Sequence, residues 1–69
     1  MTKYEEMRRL LRAYGFNGVR LAEVLNISPP TARKRLREPE TLTLYDLERL
    51  NRLGHIPLEE IRQAIKYKN

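Results

Sequence analysis

Cysteine and tryptophan are absent from this 69-residue chain, and it has one histidine and one phenylalanine. Without cysteine there is no disulfide framework and no thiolate zinc site. His55 alone cannot build a metal cluster, so neither metal nor cofactor is expected. No apolar run approaches the ~18 residues of a membrane span. The start, "MTKYEEMRRLL", carries acidic residues early and no unbroken apolar stretch, so it does not read as a signal peptide. Alternating β-branched and aromatic runs are missing as well, which leaves no strand signal. The length allows a single small domain, 1–69, with a thin core worth about 3–5 kcal/mol. No carboxylate pair falls in a pocket and no nucleophile has a base beside it in the pattern, so neither an enzyme nor a small-molecule substrate is expected. The apolar faces are narrow and needed for the core, which argues against a helix lying on a membrane.

What the chain does have is positive charge, unevenly placed. The net charge is +5 and the pI about 10.0, a balance that favours polyanionic partners. Residues 28–37 hold four basic and no acidic side chains, so these ten positions carry +4 of the +5.

The pattern predicts five short helices at about 3–14, 18–25, 29–37, 44–53 and 57–66, an all-α compact domain. Thr2 and Glu5 fit a capping box for the first helix, with Met7, Leu10, Leu11 and Tyr14 at helical spacing and Gly15 as the stop. Asn17 is a favoured N-cap for the second; Leu21, Ala22 and Leu25 share its inner face, and Asn26 ends it in the left-handed conformation. Two prolines, Pro29 and Pro30, follow Ser28. The first amides of a helix have no internal partner, so proline there costs little and its fixed φ pre-forms the turn. The pair is a start signal for the third helix, with Ser28 as N-cap and Ala32 and Leu36 facing inward. Leu42 is expected as a buried plug in the following loop. Thr43 caps the fourth helix, with Asp46 in a box-like position and Leu44, Leu47, Leu50 and Leu53 as its apolar set, closed by Gly54. Pro57 opens the fifth helix, whose apolar face is Leu58, Ile61, Ala64 and Ile65; "KYKN" reads as a fraying basic tail. Tyr4, Tyr14 and Phe16 are expected in the core or at its rim, and His55 at a helix end.

Residues 18–37 thus form helix, short turn, helix, with small Ala22 at the crossing and the second helix basic: a helix-turn-helix. Here "LAEVLNISPPTARKRL" resembles the pattern "LA-x-x-L-G-(hydrophobic)-S-x-x-T-(hydrophobic)-S-R-K-L" of the Cro/repressor (XRE) family of phage and bacterial repressors. "TLTLYDLERLNRLG" is similar to that family's "F-T-L-x-E-I-x-x-I-A-x-x-L" continuation, without a gap. The resemblance covers about residues 4–65. Asn26 and Glu38 stand where the family usually has glycine, and Ala32 is smaller than its usual Val or Ile. Pro29 and Pro30 replace positions that often carry polar, base-contacting side chains.

The resemblance implies a lambda repressor-like DNA-binding fold whose third helix enters the major groove by its N-terminal end. Pro29 and Pro30 would then lie closest to the bases, their rings against a thymine methyl, and Thr31 would offer a hydroxyl to a base edge or a phosphate. Lys34 and Arg33 are the favoured base readers, reaching guanine O6 and N7. Arg37 would meet phosphate. For Arg35, nearer the core edge, snorkelling, a surface ion pair and a DNA contact all stay open. Asn17, Gly18 and Arg20 suit a phosphate, Ser28 is a further phosphate contact, and Thr43 with Tyr45 at the start of the fourth helix would clamp the backbone.

The function this implies is a sequence-specific, double-stranded DNA-binding transcriptional regulator, Cro-like, that represses by occupying an operator in the cytoplasm. A homodimer, formed in solution or only on DNA, would use Leu58, Ile61 and Ile65. The alternative is a protein-interaction module, antirepressor- or antitoxin-like, that keeps the helix-turn-helix.

Overall fold

The computed structural model describes residues 4–66. Over that range the chain forms α1 (Glu5–Ala13), α2 (Gly18–Leu25), α3 (Pro29–Arg37), a 3-10 turn (Pro39–Thr41), α4 (Leu44–Arg52) and α5 (Leu58–Lys66), and no strand is present among the described residues. None of these helices is long and apolar enough to cross a membrane. Thr2 and the tail from 67 onward lie outside the described residues. Tyr4 precedes α1 without a side-chain cap, and the Glu5 carboxylate meets Arg8 at 3.0 Å.

Side-chain chemistry sets the ends of the middle helices. Asn17 Oδ1 accepts the Arg20 amide at 2.8 Å, and Asn26, with φ at 58°, ends α2 in the left-handed region. Ser28 starts α3, accepting the Thr31 amide at 3.4 Å, with Pro29 and Pro30 at its first two positions. Thr43 and Asp46 make a reciprocal capping box on α4 with both bonds at 3.0 Å.

α2 packs most closely on α3, α4 lies against α2, and α5 closes the far side against α1. Leu11, Leu21, Leu25, Leu50, Ile56 and Ile61 are the large side chains at the centre. Ala32 on α3 is fully buried in the core, where a small side chain lets the helix sit close to its neighbours. The expected plug Leu42 is half-buried, and Pro39 in the 3-10 turn is buried beside it. Phe16 joins the core, while Tyr4 and Tyr14 stand at its rim. The Tyr14 hydroxyl donates to Glu60 Oε1 at 2.8 Å, tying α1 to α5 and raising the phenol pKa above its ordinary value.

Two apolar sets depart from expectation. Leu44 is 84% exposed and Leu53 also lies largely outside the core. Successive steps of three residues rotate by about −60° at 3.6 residues per turn, so positions 44 and 53 end on opposite faces. Leu47 and Leu50, between them, face inward. On α5, Ile61 is 2% exposed and belongs to the core, which corrects its place in the expected dimer stripe; Leu58 (54%) and Ile65 (40%) remain outside.

The end of α4 divides two roles between neighbours. Gly54 is not left-handed; a methyl there would sit 2.7 Å from the Leu50 carbonyl oxygen and 2.8 Å from Phe16 Cζ, so close packing requires the glycine. His55 takes the left-handed position, with φ at 62°. A side chain costs about 1–2 kcal/mol there, against roughly 0.5–1 kcal/mol of backbone entropy when glycine is ordered. His55→Gly is therefore expected to stabilise the domain by about 0.5–1 kcal/mol in urea unfolding. Asn26→Gly should be nearly neutral, because asparagine tolerates that region through local hydrogen bonding.

Candidate nucleic-acid interface

α3 carries its four cations in two different states. Arg35 turns toward α4 and pairs with Asp46, its guanidinium also reaching the Thr41 carbonyl at 3.4 Å. Asp46 is 4% exposed, and the same carboxylate oxygen accepts the Thr43 amide. A surface ion pair was one of the three alternatives open for Arg35, and the geometry selects it in half-buried form. Arg33, Lys34 and Arg37 are exposed, and none of them pairs with a carboxylate among the described residues. Three unpaired positive charges therefore line the outer side of one helix, where an anionic partner meets no internal competitor.

Around the start of α3, Pro29, Pro30 and Ser28 are exposed and Thr31 is half-buried. The Ser28 hydroxyl donates to Thr31 Oγ1 at 2.9 Å, so the Ser28 proton is used internally while the Thr31 hydroxyl acts there as acceptor. α2 begins beside this helix. A methyl group at Gly18 would lie 2.7 Å from Arg33 Cγ and 3.4 Å from its Cδ, so the stem of Arg33 rests on the Gly18 backbone. The Asn17 carboxamide oxygen is already bonded to the Arg20 amide, and the Arg20 guanidinium lies 5.0 Å from the Phe16 ring centroid. Thr43 is exposed, yet its amide and hydroxyl oxygen both serve the capping box. Tyr45 is exposed at the start of α4, its hydroxyl accepting from Arg49 Nη1 at 3.0 Å.

Three long-range arginine contacts hold the frame, and sequence spacing did not mark them. Besides Arg35 with Asp46, Arg49 Nε donates to the Val24 carbonyl at 2.7 Å, joining α4 to the end of α2. Arg8 Nη2 donates to the Arg37 carbonyl at 2.7 Å, giving a partner to one of the carbonyls left over at the end of α3. The structure thus brings Gly18 and Arg33 together beside Asn17, places Ser28, Pro29, Pro30 and Thr31 at the start of α3 with Lys34 and Arg37 in its last turn, and sets Thr43 apart at the head of α4. Leu58 and Ile65 lie away from these, on α5.

Closely packed α2 and α3 joined by a short turn, with Ala22 and Ala32 buried and the outer helix cationic, define a helix-turn-helix domain of the DNA-binding class. A family model described as the antitoxin Xre-like helix-turn-helix domain matches residues 5–54, and the chain belongs to that family. The match spans α1 through α4 and ends at Gly54, before α5. No curated protein and no solved structure matches the chain.

Proposed function

We propose that residues 1–69 act as one sequence-specific duplex-DNA-binding unit, a Cro-like repressor that inserts the start of α3 into the major groove. It works by occupancy: the bound domain excludes polymerase or a competing regulator from an operator, in the cytoplasm, without catalysis, cofactor or membrane. The observation that carries this reading is the split of the α3 cations, with Arg35 held internally and Arg33, Lys34 and Arg37 exposed and unpaired among the described residues. Leu58 and Ile65 are the apolar side chains left on the outside of α5 for a second copy. Two copies on DNA would read half-sites about one helical turn apart.

A selection of bound duplexes from a random pool tests this directly. The reading requires enrichment of a defined site and an affinity whose logarithm falls linearly with the logarithm of salt. Arg37, at the last turn of α3, is assigned to phosphate. Arg37→Ala is expected to weaken all duplexes alike and to reduce the salt slope by about 1, measured by titration at several salt concentrations.

A second reading is favoured by the exposed, donor-free Pro29 and Pro30 at the tip of α3 and by the antitoxin description of the family. It makes the domain a protein-binding, antitoxin-like module. Absence of duplex binding at ~50 mM salt would select it over the first.

A further inference from the structure

Arg33 and Lys34 are neighbours on α3, but their surroundings differ. The stem of Arg33 is laid on α2: a methyl at Gly18 would come within 2.7 Å of its Cγ and 3.8 Å of its Nη1. That seat exists because position 18 has no side chain. Gly18 is not in the left-handed region, so the turn does not demand glycine there and the contact with Arg33 does. In a helix-turn-helix the second helix lies in the groove while the first crosses the sugar-phosphate backbone. A guanidinium whose stem rests against the first helix is therefore directed to the wall of the groove and not to its floor. Nothing comparable holds Lys34, which is exposed and free of any ion pair among the described residues.

We propose that Arg33, seated on Gly18, is a phosphate clamp that adds affinity without sequence preference, and that discrimination between sequences rests on Lys34. Gly18 is then a positioning residue: it acts on DNA through Arg33. The proposal rests on the DNA-binding reading above and divides the labour of that site.

The test uses the full chain, its Arg33→Ala, Gly18→Ala and doubly substituted variants, and two duplexes, one selected from a random pool and one scrambled to the same composition. Arg33→Ala should weaken both duplexes by about three- to tenfold near 0.1 M salt and lower the salt slope by about 1. Gly18→Ala forces the Arg33 stem off its seat, so it should reproduce much of that loss on both duplexes. Its thermal midpoint should move by no more than a few degrees, because the backbone at position 18 accepts a side chain and the lower entropy of the unfolded chain offsets the displacement of the exposed Arg33 stem. The double variant should bind no more weakly than Arg33→Ala alone. The proposal is overturned if Arg33→Ala costs the selected duplex tenfold more than the scrambled one, or if the two substitutions multiply. Binding of neither duplex by the unaltered chain at ~50 mM salt would instead remove the DNA-binding reading itself, and the proposal with it.

Discussion

Asp46→Ala is expected to destabilise the domain by about 3 kcal/mol, close to all that a core of this size provides. Asp46 sits almost fully out of water, and its carboxylate serves two donors on two elements. One is the guanidinium of Arg35 on α3, itself three-quarters buried; the other is the Thr43 amide that opens α4. Losing the carboxylate leaves a largely desolvated cation and an unpaired amide at once. Removing one member of a buried pair costs about 3–5 kcal/mol, and loss of a helix cap typically about 1. Because Arg35 keeps some contact with water, the lower end of the range applies. For a domain of this length the midpoint of thermal unfolding should fall by about 15 °C or more, followed by circular dichroism. Thr43→Ala is the control: it removes the cap acceptor for the Asp46 amide, leaves the ion pair, and should cost only about 1 kcal/mol. Equal losses from Thr43→Ala and Asp46→Ala would show that the pair itself contributes nothing.

The same residue marks where sequence reading stops. Features fixed within four residues of chain were legible: Asn17 and Ser28 as caps, Asn26 as the left-handed stop, the paired prolines as a start, Thr43 with Asp46 as a box. Each depends on a hydrogen bond within a few residues or on the backbone preference of a single residue, and the identity of the residues is enough to state it. What Asp46 does besides capping depends on a partner eleven residues earlier, and its burial follows from how α3 and α4 meet. Arg49 with the Val24 carbonyl and Arg8 with the Arg37 carbonyl lie 25 and 29 residues apart, and an arginine on a helix surface carries no mark of such a role. The exposure of Leu44 was within reach, since a step of three drifts around a helix and cannot hold four leucines on one face. Which of Leu58, Ile61 and Ile65 would be covered was not, because all three fit an apolar stripe and only the neighbouring α1 and α4 select Ile61. For the candidate interface, composition located the cations on α3. It could not separate the one held by Asp46 from those left free, nor seat Arg33 on Gly18.

Lys34→Ala is expected to cost the selected duplex about 1–3 kcal/mol, roughly tenfold to a hundredfold in affinity, while binding to a scrambled duplex changes little. The expectation comes from elimination at the start of α3. Pro29 and Pro30 present rings and no donors. The Ser28 hydroxyl donates to Thr31 Oγ1, which leaves Thr31 one short hydroxyl donor; Arg35 is bound to Asp46, and the stem of Arg33 lies on α2. Lys34, one turn beyond Pro30 on an exposed face, keeps the freedom to reach guanine O6 and N7 on the groove floor; Arg37 is as exposed and unpaired but stands three residues farther from the tip of the helix. A lost base contact raises the free energy of one complex and not of others, so the ranking of sites should flatten as affinity falls. Arg37→Ala should do the opposite, preserving the ranking while lowering every affinity. Lys34→Arg keeps the charge but changes a mobile ammonium for a planar fork, so it should retain affinity and alter which bases are preferred at one position of each half-site. Titration of the selected and scrambled duplexes at one fixed salt concentration separates these cases. An equal loss on both duplexes for Lys34→Ala would make Lys34 a backbone contact and overturn its assignment as the base reader of α3.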